Sequence, residues 1–198
     1  MANIFDDIIT KGIRSGQVPA RTEAARKWYR EVASKQRSIN ERQLINSDTD
    51  RLKQVIKPGS MYMYIYDPKH KETLPYYDRA PLVFPFKVER DRFWGINLHY
   101  LPLELRAKLM DALYDTRINS RYDESTRLRI SYQALNSAAK FKYFEPCVKQ
   151  YLLSHMQSKF MYIYPSEWDV ALWLPTERFA KASKTKVWAE SKKKVLST

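Results

Sequence analysis

The segment between Gly59 and Leu101 carries the clearest pattern of hydrophobic and polar positions in the chain. Methionine and tyrosine alternate through residues 61–66 (MYMYIY), so neither side of a strand formed there would be polar. This pattern is typical of a strand buried on both faces, or of one that offers a tyrosine face to a partner. Residues 93–100 are also rich in aromatics. The segment therefore predicts a protein that contains a β-sheet.

Five segments of the sequence have the length and composition of strands. A charged turn at 89–92 joins the second and third segments as a hairpin, and Pro85 within the second favours an edge position or a bulge. Residues 160–164 (FMYIY) echo residues 61–66, so the two are expected to be neighbours in one sheet. We predict strands at 60–66, 82–88, 93–100, 159–164 and 168–174.

Helical spacing of apolar residues appears at both ends of the chain and between the strands. A short helix begins at Ile4 and is broken by Gly12 and Gly16, and a second begins at Thr22-Glu23 after Pro19. Pro102 stands at a favoured first helical position. We predict helices at 4–11, 22–38, 48–56, from 102 to about 114, at 127–137, at 146–155 and after 179.

Together these elements predict an α+β protein. Its centre would be a small, curved antiparallel β-sheet or an SH3-like barrel with a helical insert, and N- and C-terminal helices would pack outside it. We divide the chain into a basic helical segment at 1–58, an α+β core domain at 59–180 and a lysine-rich tail at 181–198.

The charge of the chain points to its partners. Thirty-five Lys and Arg residues against 22 Asp and Glu residues give a net charge of +13. This excess favours a polyanion such as nucleic acid, although a protein can also be basic without such a partner. The tail could equally be a solvated, frayed terminus. The predicted nucleic-acid-binding residues are Arg26, Lys27 and Arg30 on the second helix, Lys69, Lys71 and Arg79 in the loop at 67–79, and Lys192, Lys193 and Lys194 in the tail.

The tyrosines offer a second route to nucleic acid, because exposed rings can stack on unpaired bases. Those in the predicted strands are better explained as core or subunit contacts. Tyr76 and Tyr77 lie in the predicted loop among Lys69, Lys71 and Arg79, and are therefore the better candidates for contact.

Catalytic and cofactor chemistry find little support in the sequence. Four glycines exclude a phosphate-cradling glycine loop, and the single Cys147 excludes a cysteine pair for zinc. His70, His99 and His155 fall in different elements, and His99 and Cys147 are interpreted as buried structural residues. A nuclease would need clustered carboxylates around a metal, for which Glu89 and Asp91 in the hairpin turn are the candidates. We predict no enzyme activity, no cofactor and no metal.

We predict neither a targeting signal nor a membrane span from the sequence. The first residues lack the basic start and apolar run of a signal peptide, and no apolar segment approaches the roughly 20 residues that span a bilayer. One cysteine allows no intrachain disulfide, as in proteins of a reducing compartment. We expect a soluble, intracellular product with no membrane partner.

An ordered series of motifs resembles a known group of proteins. It comprises KPGSMY at 57–62, YDPK at 66–69, LPYYD at 74–78, PLV at 81–83, GINLHYLP at 95–102, FEP at 144–146, SEW at 166–168 and LPTERF at 174–179. Across about residues 55–190 the chain is similar to the DNA end protector and virion structural proteins of large contractile-tailed bacteriophages.

The resemblance implies a late structural protein, made in the cytoplasm of a bacterial host and carried in the virion. A DNA end protector binds the genome terminus and blocks host exonuclease. The leading hypothesis is a virion protein at the genome end or the head–tail connection that clamps the phosphate backbone without reading sequence. We expect it to oligomerise there and to contact double-stranded DNA and other virion proteins of the portal, neck or tail.

Two alternatives to this hypothesis stay open. The first is a tail, neck or baseplate component whose charge serves protein–protein assembly. The second is a metal-dependent packaging nuclease.

Overall fold

The structure is a computed structural model that describes residues 3–18, 22–37, 39–117, 123, 126, 133–137 and 142–196. Its α-helices are α1 (Ile4–Arg14), α2 (Glu23–Ser34), α3 (Glu41–Asn46), α4 (Leu103–Arg117), α5 (Trp168–Trp173) and α6 (Lys184–Leu196). Residues 133–137 are also helical. The strands are β1 (Leu52–Lys53), β2 (Met61–Met63), β3 (Tyr77–Asp78), β4 (Leu82–Val88), β5 (Arg92–Asn97), β6 (Val148–Leu152), β7 (Phe160–Ile163) and β8 (Phe179–Ala180).

The strands form one antiparallel sheet and one small ribbon. The sheet has the order β1-β7-β2-β4-β5-β6, and β3 pairs with β8 in the ribbon. The prediction of an α+β protein with an antiparallel sheet is therefore confirmed. In the described part of the chain the sheet is open, with β1 and β6 at its two edges, so the SH3-like barrel is not observed.

Two predicted details of the sheet are confirmed. β4 and β5 form the hairpin, and the register shifts between Pro85 and Lys87, where the bulge was expected. β2 and β7 are neighbours, with Tyr62 opposite Tyr162, because their matching aliphatic and aromatic side chains fill the same layer on each side of the sheet.

The alternation in β2 divides the protein core in two. Met61 and Met63 face the helices and belong to the large cluster that also contains Phe5, Tyr29 and Val187. Tyr62 and the following tyrosines face the other way. They form a second, aromatic cluster of Tyr62, Tyr64, Tyr66, Phe93, Tyr151 and Phe160. The strand is thus buried on both faces, and its tyrosines are core residues rather than a surface for a partner.

The N-terminal helices α1 and α2 pack closely on one another and on α5. Thr22 caps α2 by accepting a hydrogen bond from the backbone amide of Ala25, as its place before Glu23 predicts. Gly12 lies inside α1 and does not end it, contrary to prediction. A Cβ atom there would lie 2.1 Å from the Tyr29 hydroxyl, so this glycine allows the close approach of α1 and α2.

Three predicted elements are wrong in type. Within 146–155, residues 148–152 form strand β6 between two 3₁₀ turns instead of a helix, because they complete the sheet against β5 with Tyr151 opposite Phe93. Residues 168–174 form α5 instead of a strand. Apart from Asp169 the segment is apolar, and periodicity alone does not separate a buried helix from a buried strand. The turn at 165–167 decides the outcome: Pro165 opens it, and the Glu167 carboxylate accepts the Tyr164 amide.

The third error lies before the sheet. Residues 48–56 were predicted to be helical, but they form a 3₁₀ turn at Thr49–Arg51 and then β1. The real helix of this region is the preceding α3, capped by the Asn40 side chain. For the segment at 127–137, residues 133–137 are helical as predicted, and 127–132 lie outside the described residues.

Candidate nucleic-acid interface

The arginines predicted to form a basic face on α2 lie largely within the protein. The Arg30 Nε donates to Asp169 Oδ1 at 2.7 Å, and its Nη2 donates to Asp111 Oδ1 at 2.9 Å. Arg26 Nε lies 3.5 Å from the same Asp111 oxygen. Burial alone would lower the pKa of Arg30, but the attraction of Asp169 and Asp111 raises it overall. These two arginines connect α2 to α4 and α5, so their charges are largely compensated within the fold.

Lys27 remains on the surface of the same helix. It is exposed, and its helix neighbours on the buried side are Ala25 and Tyr29. Of the three residues predicted on α2, Lys27 is therefore the one placed to meet an external anion.

The loop residues Lys69, Lys71 and Arg79 have different surroundings. Lys69 is exposed, whereas Lys71 is paired with Asp67 at 2.9 Å. Arg79 is exposed, and its backbone amide donates to the carbonyl of Arg178 at 2.9 Å, next to the β3–β8 ribbon. The ribbon thus brings a second arginine beside the predicted one.

Lys181 fixes the loop that carries these residues. Its backbone is in the left-handed region, with φ 67°. Its ammonium group donates to the carbonyls of Lys71, Glu72 and Leu74 at 2.6, 2.9 and 3.3 Å. The predicted loop at 67–79 is therefore held against the start of the C-terminal segment.

Tyr76 and Tyr77 were the tyrosines predicted to be available for contact. The Tyr76 ring packs on Tyr100 and Phe179, with ring centroids 6.1 and 6.4 Å apart. Burial, followed by a hydrogen bond with Glu190, raises the pKa of Tyr76 to about 12. Tyr76 is thus engaged inside the protein, whereas Tyr77, in β3, is half-buried.

The lysines of the tail lie on α6. Val187 is fully buried, and the indole nitrogen of Trp188 donates to the His99 carbonyl at 2.8 Å, so the helix is packed on the core. Lys192, Lys193 and Lys194 are exposed in its last turns. Cations there are also favoured by the helix dipole. The three predicted tail residues are therefore exposed cations near the end of a helix that is fixed on the core, and we refer to them as the lysine patch.

A further lysine lies beneath this patch. The Lys149 ammonium group is 4.2 Å from the centroid of the Tyr100 ring. Burial lowers its pKa to about 8, and Lys194 lowers it in addition, while Cys147 acts in the opposite direction. The cationic character of this part of the surface thus extends from α6 to β6.

A cleft of about 410 Å³ opens on another part of the surface. Three segments that are distant in sequence meet there, and each contributes one arginine: Arg42, Arg79 and Arg178. Arg42 and Arg79 are exposed. The Arg178 Nη2 is 2.8 Å from Glu41 Oε1 and also donates to the Ile39 carbonyl at 2.8 Å. We refer to this feature as the arginine cleft.

Sequence reasoning identified only Arg79 of this trio. Arg42 lies in the first turn of α3, a helix that was not predicted, and Arg178 lies in the motif LPTERF at 174–179 without a charge pattern around it. The pairing of β3 with β8 is a long-range contact, so no local sequence pattern predicts that Arg79 and Arg178 lie close together.

The residues considered for catalysis belong to the core. His99 is fully buried, with Nδ1 2.7 Å from Asp78 Oδ2 and Nε2 3.2 Å from Thr176 Oγ1. Cys147 is also buried, and burial raises its pKa to about 12. The interpretation of both as buried structural residues is confirmed.

The carboxylates considered for a metal site are paired with cations. Glu89 lies 2.9 Å from Lys87, and Asp91 lies 2.8 Å from Arg92. Across the described ranges, no group of three or more His, Cys, Asp or Glu side chains is arranged to hold a metal ion. Nor does any helix in the described part of the chain combine the length and apolarity needed to cross a bilayer.

Comparison with protein families matches the chain over residues 1–197 to the family described as the phage T4 terminal DNA protecting protein. The chain therefore belongs to this family, and the resemblance to DNA end protectors is confirmed. The match includes the N-terminal helices, which lay outside the motifs that carried the resemblance. Comparison with curated proteins and with solved structures gives no match.

Proposed function

We propose that this protein binds the ends of double-stranded phage DNA through the phosphate backbone, without reading base sequence, and thereby shields them from exonuclease. The observation that carries the proposal is the match to a terminal DNA protecting family over residues 1–197. The net charge of +13 supports it, because phosphate neutralisation by Lys and Arg dominates sequence-independent DNA binding.

The predicted cations differ in how directly they can contact DNA. Lys192, Lys193 and Lys194 lie together on a packed helix, and Lys27 and Lys69 are exposed elsewhere. Within the described part of the chain, Lys27, Lys69, Lys192 and Lys193 can contact phosphates without dismantling an internal ion pair. Arg26 and Arg30 cannot, because their guanidinium groups would have to leave Asp111 or Asp169.

The proposal places the protein in the virion, at the genome end or the head–tail connection, after synthesis in the cytoplasm of the bacterial host. There it would oligomerise and contact portal, neck or tail proteins. The protein would act by occupying the end, with no chemical step of its own.

The test is protection of linear double-stranded DNA from a processive exonuclease by the purified chain. Closed circular DNA is the binding control, and both are measured at two salt concentrations. Protection at low occupancy supports end capping, whereas equal, salt-sensitive binding to both DNAs reduces the function to a general phosphate clamp. Failure to bind either DNA contradicts the proposal and favours an assembly role.

A further inference from the structure

We propose that the arginine cleft is the site that receives a phosphate group at the end of a DNA strand. The inference rests on the proposed function and adds to it the part of the surface that distinguishes an end from the interior of a duplex. It assigns to Arg42, Arg79 and Arg178 a role different from that of the lysines on α6.

The chemistry of the cleft matches a phosphate. Three arginines and one glutamate, Glu41, line the cleft, which leaves an excess of two positive charges. The planar fork of N–H donors in arginine fits phosphate oxygens in a bidentate manner, whereas lysine acts as a point charge. Arg42 and Arg79 are exposed, so binding does not require either of them to leave a buried partner.

The shape of the cleft favours a strand end over a continuous duplex. Its volume of about 410 Å³ is that of a small-molecule site. A continuous duplex is far larger than this volume, whereas a single terminal nucleotide with its phosphate is of small-molecule size. Ile39 and Ile65 supply apolar lining beside the arginines, which suits the sugar and base that accompany the phosphate.

The frame of the cleft is fixed before any ligand arrives. The backbone amide of Arg79 donates to Arg178, and the amide of Tyr66 donates to Arg79 at 3.0 Å, so two walls are joined by hydrogen bonds. The Arg178 side chain is held toward the cleft by Glu41 and by the Ile39 carbonyl. A site with this much prior order loses little conformational entropy on binding.

Glu41 makes the inference specific. Its carboxylate occupies one face of Arg178 and repels an incoming phosphate. Replacing it with Gln should therefore strengthen phosphate binding, although Glu41→Gln removes an ion pair. Loss of a purely structural contact would not strengthen binding, so the sign of the effect separates a phosphate site from a structural ion pair.

The experiment compares three DNAs by fluorescence anisotropy with the full chain: a blunt duplex with 5′-phosphates, the same duplex with 5′-hydroxyls, and a dumbbell whose ends are closed by loops. The variants are Arg42→Ala/Arg79→Ala, Glu41→Gln, and Arg90→Ala as a control, since Arg90 is exposed in the turn between β4 and β5. Unfolding midpoints establish that each variant is folded.

We expect the double variant to lose about tenfold or more in affinity for the open duplexes, one decade corresponding to ~1.4 kcal/mol, and to bind the dumbbell like the wild type. Glu41→Gln should bind the open duplexes more tightly, and Arg90→Ala should bind all three unchanged. A loss confined to the 5′-phosphorylated duplex identifies the terminal phosphate as the ligand, and an equal loss on both open duplexes identifies a backbone phosphate near the end.

Two outcomes overturn the inference without contradicting the proposed function. In the first, the double variant binds the open duplexes and protects them from exonuclease like the wild type. In the second, it loses affinity for the dumbbell and the open duplexes equally. Wild-type protein that binds none of the three DNAs overturns both.

Discussion

The cations of this protein fall into two regions that behave oppositely. Inside, Arg106 is fully buried, with hydrogen bonds to the carbonyls of Leu101 and Leu172 and an ion pair to Glu177 at 2.6 Å. Outside, the lysines at 192–194 stand on the surface of α6. Both groups contribute equally to the net charge, but a buried cation paired with a carboxylate holds elements together, and an exposed one is available to a partner. The number of Lys and Arg residues therefore overstates the cations available at the surface, and the location of each cation decides its role.

The largest expected effect comes from removing a buried cation of the inner region. Arg106→Met leaves Glu177 buried without this ion pair and removes hydrogen bonds to three carbonyls, including that of His99. We expect a loss of ~3–5 kcal/mol in the free energy of unfolding, the usual result of breaking a buried ion pair. Urea unfolding followed by circular dichroism measures it.

The matched control for this change is Arg90→Met, which lies exposed in the hairpin turn. It should alter the free energy of unfolding by no more than ~0.5 kcal/mol. Equal losses for the two arginines would contradict the distinction between inner and outer cations.

A second prediction tests the distinction within one helix. Arg30→Ala removes the ion pairs to Asp169 and Asp111 and should destabilise the protein by ~2–4 kcal/mol. Lys27→Ala, on the exposed side, should leave stability within ~0.5 kcal/mol of the wild type. DNA affinity should respond in the opposite order, with a loss for Lys27→Ala and none for folded Arg30→Ala. Reduced affinity in Arg30→Ala at full folding would return Arg30 to the interface.

The third prediction concerns the outer region. Replacing Lys192, Lys193 and Lys194 together by Ala should weaken DNA binding and reduce the slope of log affinity against log salt by up to ~2.7, since each phosphate contact contributes about 0.9. Stability should change little because all three are exposed. Binding isotherms over a salt series measure the slope.

The matched control replaces three other exposed lysines, Lys11, Lys35 and Lys57. This triple variant has the same net charge as the first. If the two triple variants lower DNA affinity equally, binding depends only on the net charge of the protein and not on the position of the lysines on α6.

The two regions also differ in how far the sequence predicts them. Alternation and turn chemistry are local, so the hairpin, its bulge at Pro85 and the pairing of β2 with β7 were predictable. The exposed lysines of the tail follow from composition. The buried role of Arg30 does not, because its partner Asp169 is 139 positions away.

The same limit explains why α5 and the arginine cleft were not predicted. Apart from Asp169, residues 168–174 are apolar, so their helical form depends on the turn at Pro165 and on the helices around them. The arginine cleft depends on the pairing of β3 with β8, which are two residues each and have no periodicity of their own. Where tertiary contacts decide an element or a site, local patterns are insufficient.

The fourth prediction concerns the inner region and the dependence of its stability on acid pH. Burial alone would raise the pKa of Asp78, but His99 and the hydrogen bonds from His99 and Asn97 lower it overall. A carboxyl with a lower pKa in the folded state contributes stability that is present above its unfolded value, ~3.9, and is lost as the pH falls through the folded pKa. Asp78→Asn should therefore flatten the loss of stability below about pH 4. If urea titrations at several pH values show that Asp78→Asn loses stability in acid as steeply as the wild type, this role of Asp78 is contradicted.

Lys149 tests the boundary between the two regions, because it is a half-buried cation whose neighbours are the Tyr100 ring, Cys147 and a second cation, Lys194. Its pKa is lowered to about 8, so the folded protein binds fewer protons than the unfolded chain above that pH. Stability attributable to this group should rise between about pH 8 and the unfolded value of ~10.4. Lys149→Met, which keeps the apolar stem, should abolish this rise and match or exceed wild-type stability at pH 7. If Lys149→Met instead weakens DNA binding without changing the pH dependence, Lys149 belongs with the outer cations.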